Sequence, residues 1–297
     1  QPTISSAVSV KSIVMGSAQA VTLTIGGAGS LTTSGNISGS WSAGIIHTIN
    51  AGSQGLTING DLILSDGTSG HAINLSAIAA TVVINGSLIQ AGGASISFTG
   101  NTSMSIKNDY TYTSGIFSAG AGTVTYNGTS SQQIASVTYN NLVINKVSGI
   151  ALVNAALTAN GNLSVTAGEL DMNANATIGG NIAISSGATL YGDGAIINAG
   201  GNWSNSGTFN AGTGSVVING NAAQSISATT FNNLSVNKSA GSATLSGNII
   251  INSNLSVQSG TFDLATYTAN RSVAGGQLTI SGGATLTAGG ANNFPQN

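Results

Sequence analysis

The stretch GTGSVVINGNAAQSISATTFNNLSVNK (212–238) repeats GAGTVTYNGTSSQQIASVTYNNLVINK (120–146), 92 residues earlier and without a gap. Asn127-Gly128, Gln132, Ile134, Thr138, Asn140-Asn141, Leu142 and Asn145-Lys146 all recur at that offset. Repetition at a fixed period decides the reading of a fold before any local propensity does. Upstream, SGIFSAGAGTVTYNG (114–128) matches SGTFNAGTGSVVING (206–220), and downstream NLSVTAGELD (162–171) matches NLSVQSGTFD (254–263). Beyond that the offset slips by four residues, where SSGATL (185–190) matches SGGATL (281–286). The repeats are 114–205 and 206–297, with a diverged first copy over 22–113, where LTINGDLIL (56–64) aligns with LTANGNLSV (157–165). Residues 1–21 are left as an N-terminal strand or cap.

A shorter beat runs inside each repeat. Gly161-Asn162-Leu163-Ser164-Val165 returns as Gly180-Asn181-Ile182-Ala183-Ile184, and a looser GNWSN begins at Gly201, at steps of 19 and 21. In such pieces apolar residues stand at i and i+2, on one face of a strand. Thr, Val and Ile suit a pleated surface. No window carries an apolar 3.6 repeat flanked by charge, so helices are not expected. The Asn-Gly pairs (Asn59-Gly60, Asn85-Gly86, Asn127-Gly128, Asn160-Gly161, Asn219-Gly220) read as corners where glycine takes a positive φ. Strands of three to five residues, joined by corners about every 20–25 residues, predict an all-β chain. The expected fold is a parallel β-solenoid, a right-handed β-helix because parallel crossovers usually turn that way. Tandem β-sandwich modules are the alternative, but sandwiches need large core residues, and aromatics make up only 5%. A coil advancing ~4.8 Å per turn would make a rod of roughly 60–70 Å. The repeat then has a physical cause: each turn buries its inner face only against a similar neighbour.

Composition narrows the function. The chain has 297 residues, 4% of them charged, with a net charge of −2, no cysteine and 43 glycines. Five scattered cations cannot track a phosphate backbone, so nucleic acid is excluded as a partner. No apolar run is long enough to span a membrane as a helix. The absence of cysteine leaves no disulfide framework and no thiolate metal site. The opening QPTISS, without an initiator Met, is what a secreted chain looks like after removal of a signal peptide.

The recurring GTVTYNG, QQI, Thr-x-[Tyr/Phe]-Asn-Asn-Leu-x-[Ile/Val]-Asn-Lys and NLSVTAGELD resemble tandem modules of about 90 residues in large secreted bacterial surface proteins of adhesin-like, β-helical type. The resemblance is specific over 114–297 and loose over 22–113. It implies an extracellular, non-enzymatic role and carries no catalytic residues.

A search for chemistry agrees with an expectation of no enzyme, no cofactor and no metal. Glu169 and Asp171, or Asp61 and Asp66, could pair as acids, and His47 and His71 stand 24 apart, close to one coil length. Neither set has the further ligands or bases that a site needs. Lys146 and Lys238 read as solubilising charges at corners, with a contact to another subunit or an acidic neighbour as the alternative. Asn140-Asn141 and Asn232-Asn233 are candidates for amide ladders along the stack, with Tyr139 and Phe231 packed beside them. Trp41, Trp203, Tyr110, Tyr112 and Tyr191 are the aromatics available to stack on sugars. Twelve Asn-x-Ser/Thr triplets allow glycan on outward faces.

The functional expectation is an extracellular fibre or filament subunit that self-associates into a homopolymer by end-to-end or strand-addition contacts. Its candidate assembly strand is Gln1 to Val10, with Gln1, Ile4, Val8 and Val10 as docking positions. An adhesin stalk or carbohydrate-binding module that meets surface glycans is the alternative.

Overall fold

The computed structural model describes residues 1–41, 44–271 and 275–289. Among them there is no helix, and every strand pairing is parallel. Most strands bond to strands one turn before and one turn after them, so the succession runs on as a coil of about 13 turns and does not close into a barrel. The tandem-sandwich alternative is set aside by this parallel register.

The chain divides into two compact units, Gln1–Gly149 and Ile150–Asn297. The division falls inside the repeat 114–205. In a coil each turn touches only its neighbours, so a border of the repeat needs no gap in packing.

In the first unit one face can be followed turn by turn through Val8, Leu31, Leu56, Val82, Met104, Val124 and Leu142, at steps of 23, 25, 26, 22, 20 and 18 residues. In the second unit the same kind of column runs through Leu157, Ala176, Ile197, Val216, Leu234, Leu255 and Leu278. All of these except Val8 and Leu278 are buried. The alternation read from the sequence is what does this: TLTI (22–25), TVTY (123–126) and SVVI (215–218) each bury every second residue. Outward columns are small and uncharged, such as Ser9–Thr32–Thr57–Val83–Ser105–Thr125 and Thr158–Thr177–Asn198–Val217–Ser235–Ser256.

Two expectations need correction. Asn141–Val153 and Asn233–Leu245 are strands of 13 residues, far longer than the expected three to five, because pairing continues through a corner instead of stopping at it. The glycines of Asn59-Gly60, Asn85-Gly86, Asn127-Gly128 and Asn219-Gly220 do not have a positive φ. They are required by close approach: a Cβ on Gly128 would lie 1.9 Å from the Lys107 carbonyl oxygen, and one on Gly220 1.9 Å from that of Gly200.

Candidate functional site

The N-terminal segment forms the first turn of its own coil. Thr3–Ile4 pairs with Thr24-Ile25, Ala7–Val10 with Ser30–Thr33, and Ile13–Met15 with Ile37–Gly39. Of the assembly positions named above, Ile4, Val8 and Val10 lie in these strands and Gln1 precedes them. This segment belongs to the chain's own coil. It is docked on one edge, and among the described residues its opposite edge has no strand partner. Beside that edge lies an apolar cleft of about 200 Å³, lined by Pro2, Ile13, Val14, Met15, Gly16, Val21 and Leu23. Val14 is 61% exposed there.

The paired asparagines point back at the preceding turn. Asn140 and Asn141 donate from their amide nitrogens to the Gly122 carbonyl at 3.5 Å, and Asn232 and Asn233 donate to that of Gly214 at 3.4 and 3.1 Å. Asn233 also accepts from the Asn254 amide at 3.1 Å. The more regular ladder runs elsewhere, along the Gly-Asn beat. Each Asn oxygen accepts the backbone N–H one turn on, from Asn162 to Asn181, Asn181 to Asn202 and Asn202 to Ser225, at 2.8 Å each. In the first unit Asn36 serves Asp61 at 2.8 Å, and Asp61 serves Ser87 at 2.7 Å. The beat itself was the signal for this ladder.

Lys146 and Lys238 are not solubilising corner charges. Both are 1% exposed. The Lys146 ammonium donates to the carbonyls of Gly128 (3.0 Å) and Ser130 (2.8 Å) and to Gln132 Oε1 (2.7 Å). Lys238 does the same with Gly220 (2.6 Å), Ala222 (2.9 Å) and Gln224 Oε1 (2.6 Å). Three acceptors meet three N–H groups, which is the complement of an ammonium. The glutamine is also fully engaged: Gln132 Oε1 accepts from Gly128 N at 2.8 Å, and its amide donates to the Ile106 carbonyl at 3.1 Å and to that of Asn108. Burial lowers the pKa of both lysines; near Lys146 the Asp109 carboxylate opposes that shift. The reason for burial is geometric, because each lysine follows an inward-facing Ile or Val two positions earlier on a strand that keeps alternating.

Beside each cradle sits an aromatic layer. Tyr110, Phe117, Tyr139 and Tyr126 form one, with Tyr126 and Tyr139 hydroxyls 2.8 Å apart and Tyr110 bonded to Gln90. Trp203, Phe209 and Phe231 form the other, with Trp203 Nε1 donating to Thr229 Oγ1 at 3.0 Å. Tyr139 and Phe231 are buried in these layers, as are Tyr110 and Trp203, which removes the last two from contact with any sugar. Trp41 lies parallel to His71, ring centroids 6.0 Å apart.

His47 and His71 do not stack. His47 is buried opposite Ile73, its Nδ1 accepting from Val21 N at 3.2 Å, and burial lowers its pKa. His71 Nδ1 lies 2.9 Å from Asp66 Oδ2, and this contact helps hold the Asp66 carboxyl below its usual range. Glu169 and Asp171 share one strand face, and Asp171 is raised by burial and by its bond to Asp193. Among the described residues no group of three or more His, Asp or Glu side chains could hold a metal ion. Nor, among the described residues, is any helix long and apolar enough to cross a membrane.

With this geometry in hand, comparison with protein families, with curated proteins and with solved structures finds no match to the chain.

Proposed function

We propose that this chain is an extracellular structural protein: a β-solenoid subunit of a surface fibre or filament, joined to further copies through open strand edges. The observation that carries the reading is the first turn, where, among the described residues, three strands bond on one side only beside an apolar cleft. An unpaired strand edge is a template for another chain. Three further features support it. The outward columns of Ser, Thr and Asn can pack without removing ions from water. The buried lysines of the second and third repeats, Lys146 and Lys238, are consumed inside the fold. The repeat resembles modules of secreted surface proteins.

Negative-stain electron microscopy of the purified chain at neutral pH tests the reading. The expected result is filaments of uniform width, with little response to ionic strength because so few charges exist to be screened. Val14→Lys, at an exposed position on the open edge, should leave folded single particles. Dispersed particles of the unaltered protein at every concentration tried would refute the fibre, as would filaments that persist in Val14→Lys and dissolve in salt.

A further inference from the structure

Among the described residues the parallel ladder opens at a matching position of the repeat in each unit; in the first unit Tyr110–Tyr112, beside that position, ends its sheet as well. Ile116–Ser118 bonds back to Ser95–Thr99 and ends its sheet; it is not paired with Thr138–Tyr139 on the next turn. Ninety-two residues on, Thr208–Asn210 bonds back to Thr189–Tyr191, and Thr230–Phe231 bonds forward to Ile249–Ile251, but those two strands do not pair with each other. A shallow groove lies at each break. The first, about 340 Å³, includes Tyr112, Ile116, Phe117, Ser136 and Thr138. The second, about 380 Å³, includes Asn205, Thr208, Phe209, Thr230, Asn248 and Ile250. Both volumes sit at the small end of the ~300–1,000 Å³ range for small-molecule sites.

The chemistry of the two grooves is the same. Neither is lined by a charged side chain, so an anionic or cationic ligand would lose hydration without gaining an ion partner. The Ser136, Thr138, Thr208 and Thr230 side chains are exposed, and among the described residues their hydroxyls have no hydrogen-bond partner. Tyr112 donates its proton to the Gly115 carbonyl at 2.8 Å, which leaves its oxygen able to accept. Beside these polar groups lie a phenylalanine (Phe117 or Phe209) and an exposed isoleucine (Ile116 or Ile250).

The groove is too narrow for a peptide strand to be inserted. Rings on the two turns that flank it are 5.9 Å apart for Phe117 and Tyr139, and 6.0 Å for Phe209 and Phe231. An intercalated strand needs about twice the ~4.8 Å spacing of a sheet. The occupant therefore lies on the groove, is uncharged, and presents both an apolar face and a rim of hydroxyl or amide groups.

We propose that each of these two grooves is a subsite for a neutral saccharide, giving the chain two such subsites. The sugar's C–H face rests on the isoleucine and the phenylalanine edge, and its hydroxyls bond Ser136, Thr138 and Tyr112 in one groove, and Thr208, Thr230 and Asn248 in the other. This goes beyond a fibre role and does not depend on it.

The experiment is calorimetric titration of the intact chain with neutral hexose and N-acetylhexosamine oligosaccharides. It is repeated on Thr138→Arg, on Thr230→Arg and on the double variant, with circular-dichroism melts to confirm the fold. The expected result is saturable binding in the region of about 1 mM per site. Each single variant should halve the number of sites, and the double variant should weaken binding at least tenfold at an unchanged melting temperature. No saturable binding by any member of the panel overturns the proposal, and so does binding that the double variant leaves intact. Running the series on Val14→Lys separates the two ideas: sugar binding without filaments leaves the subsites standing while the fibre falls.

Discussion

The cradle around Lys146 and the cradle around Lys238 share each hydrogen-bond partner by position, yet the aromatic layers beside them share little. In the first unit the layer is mostly tyrosine: Tyr126 and Tyr139 hydroxyls bond each other and the Ala135 backbone, Tyr110 bonds Gln90, and Phe117 packs among them. In the second unit the matching places hold Trp203, Ile218 and Phe231, and one indole N–H bonds Thr229. An aromatic layer tolerates exchange because any polar handle that is added brings its own partner. The cradle does not, because one ammonium serves three acceptors at once. Removing it strands all three, whereas no single replacement restores them.

The largest effect should follow from breaking the cradles. Lys238→Met leaves the Gly220 and Ala222 carbonyls and Gln224 Oε1 buried without their donor. We expect a loss of about 3 kcal/mol or more in urea unfolding, read by linear extrapolation, and a similar loss for Lys146→Met. A cost under about 1 kcal/mol in either would mean that water enters the cradle and the lysine is dispensable. A much larger cost for Lys146 alone would sharpen the comparison, since Asp109 near it is replaced by Asn202 beside Lys238.

The next effect separates the units by pH. Buried lysines have folded pKa values below the usual 10.5, so between those values and 10.5 the unfolded chain binds more protons, and stability rises with pH. The buried tyrosines act in the opposite sense. Burial raises Tyr110, Tyr126 and Tyr139, Tyr126 to about 12, so above pH 10 the folded chain binds more protons, and stability falls as pH climbs toward the folded values. A displacement from 10.0 to about 12 is worth about 3 kcal/mol for Tyr126. Stability should therefore climb gently up to about pH 10 and then drop. The drop should be accompanied by tyrosinate absorbance and by loss of protection in amide exchange within residues 100–146. Exchange that opens first in the second unit, whose matching positions have nothing to ionise, would break the argument.

Much of the fold was readable in the chain, because a solenoid writes its period into the sequence. Leu163-Ser164-Val165 and Ile182-Ala183-Ile184 alternate as they pair, and the Gly-Asn beat that precedes them is the hydrogen-bonded ladder itself. The cradle was not readable, for a physical reason. A lysine among Asn and Ser looks solvated, and its partners lie 14, 16 and 18 residues back, across a turn. The signal that could have found it is joint recurrence: Gly128, Gln132 and Lys146 return together as Gly220, Gln224 and Lys238, although the three residues after the glycine change from TSS (129–131) to NAA (221–223). The Asn-Gly corners misled because glycine serves two ends, positive φ and close approach, and only the neighbouring turn says which. The grooves were hidden likewise, since a missing pairing between Thr208–Asn210 and Thr230–Phe231 is a property of two turns and not of either sequence.

The smallest effect tests whether the two aromatic layers are interchangeable. Tyr139→Phe copies the residue found at 231, but it leaves the Tyr126 hydroxyl and the Ala135 carbonyl short of a buried partner. It should cost about 1–2 kcal/mol. Tyr126→Ile copies position 218, removes the other hydroxyl, and adds the loss of ring volume. Made together, the two changes import the second unit's pair and remove both hydroxyls, so the double variant should cost less than the sum of the singles by about 1 kcal/mol. Strict additivity would show that the hydroxyl pair contributes nothing beyond each ring's own packing. The difference between the layers would then be one of volume alone, and Tyr126 and Tyr139 would not act as a unit.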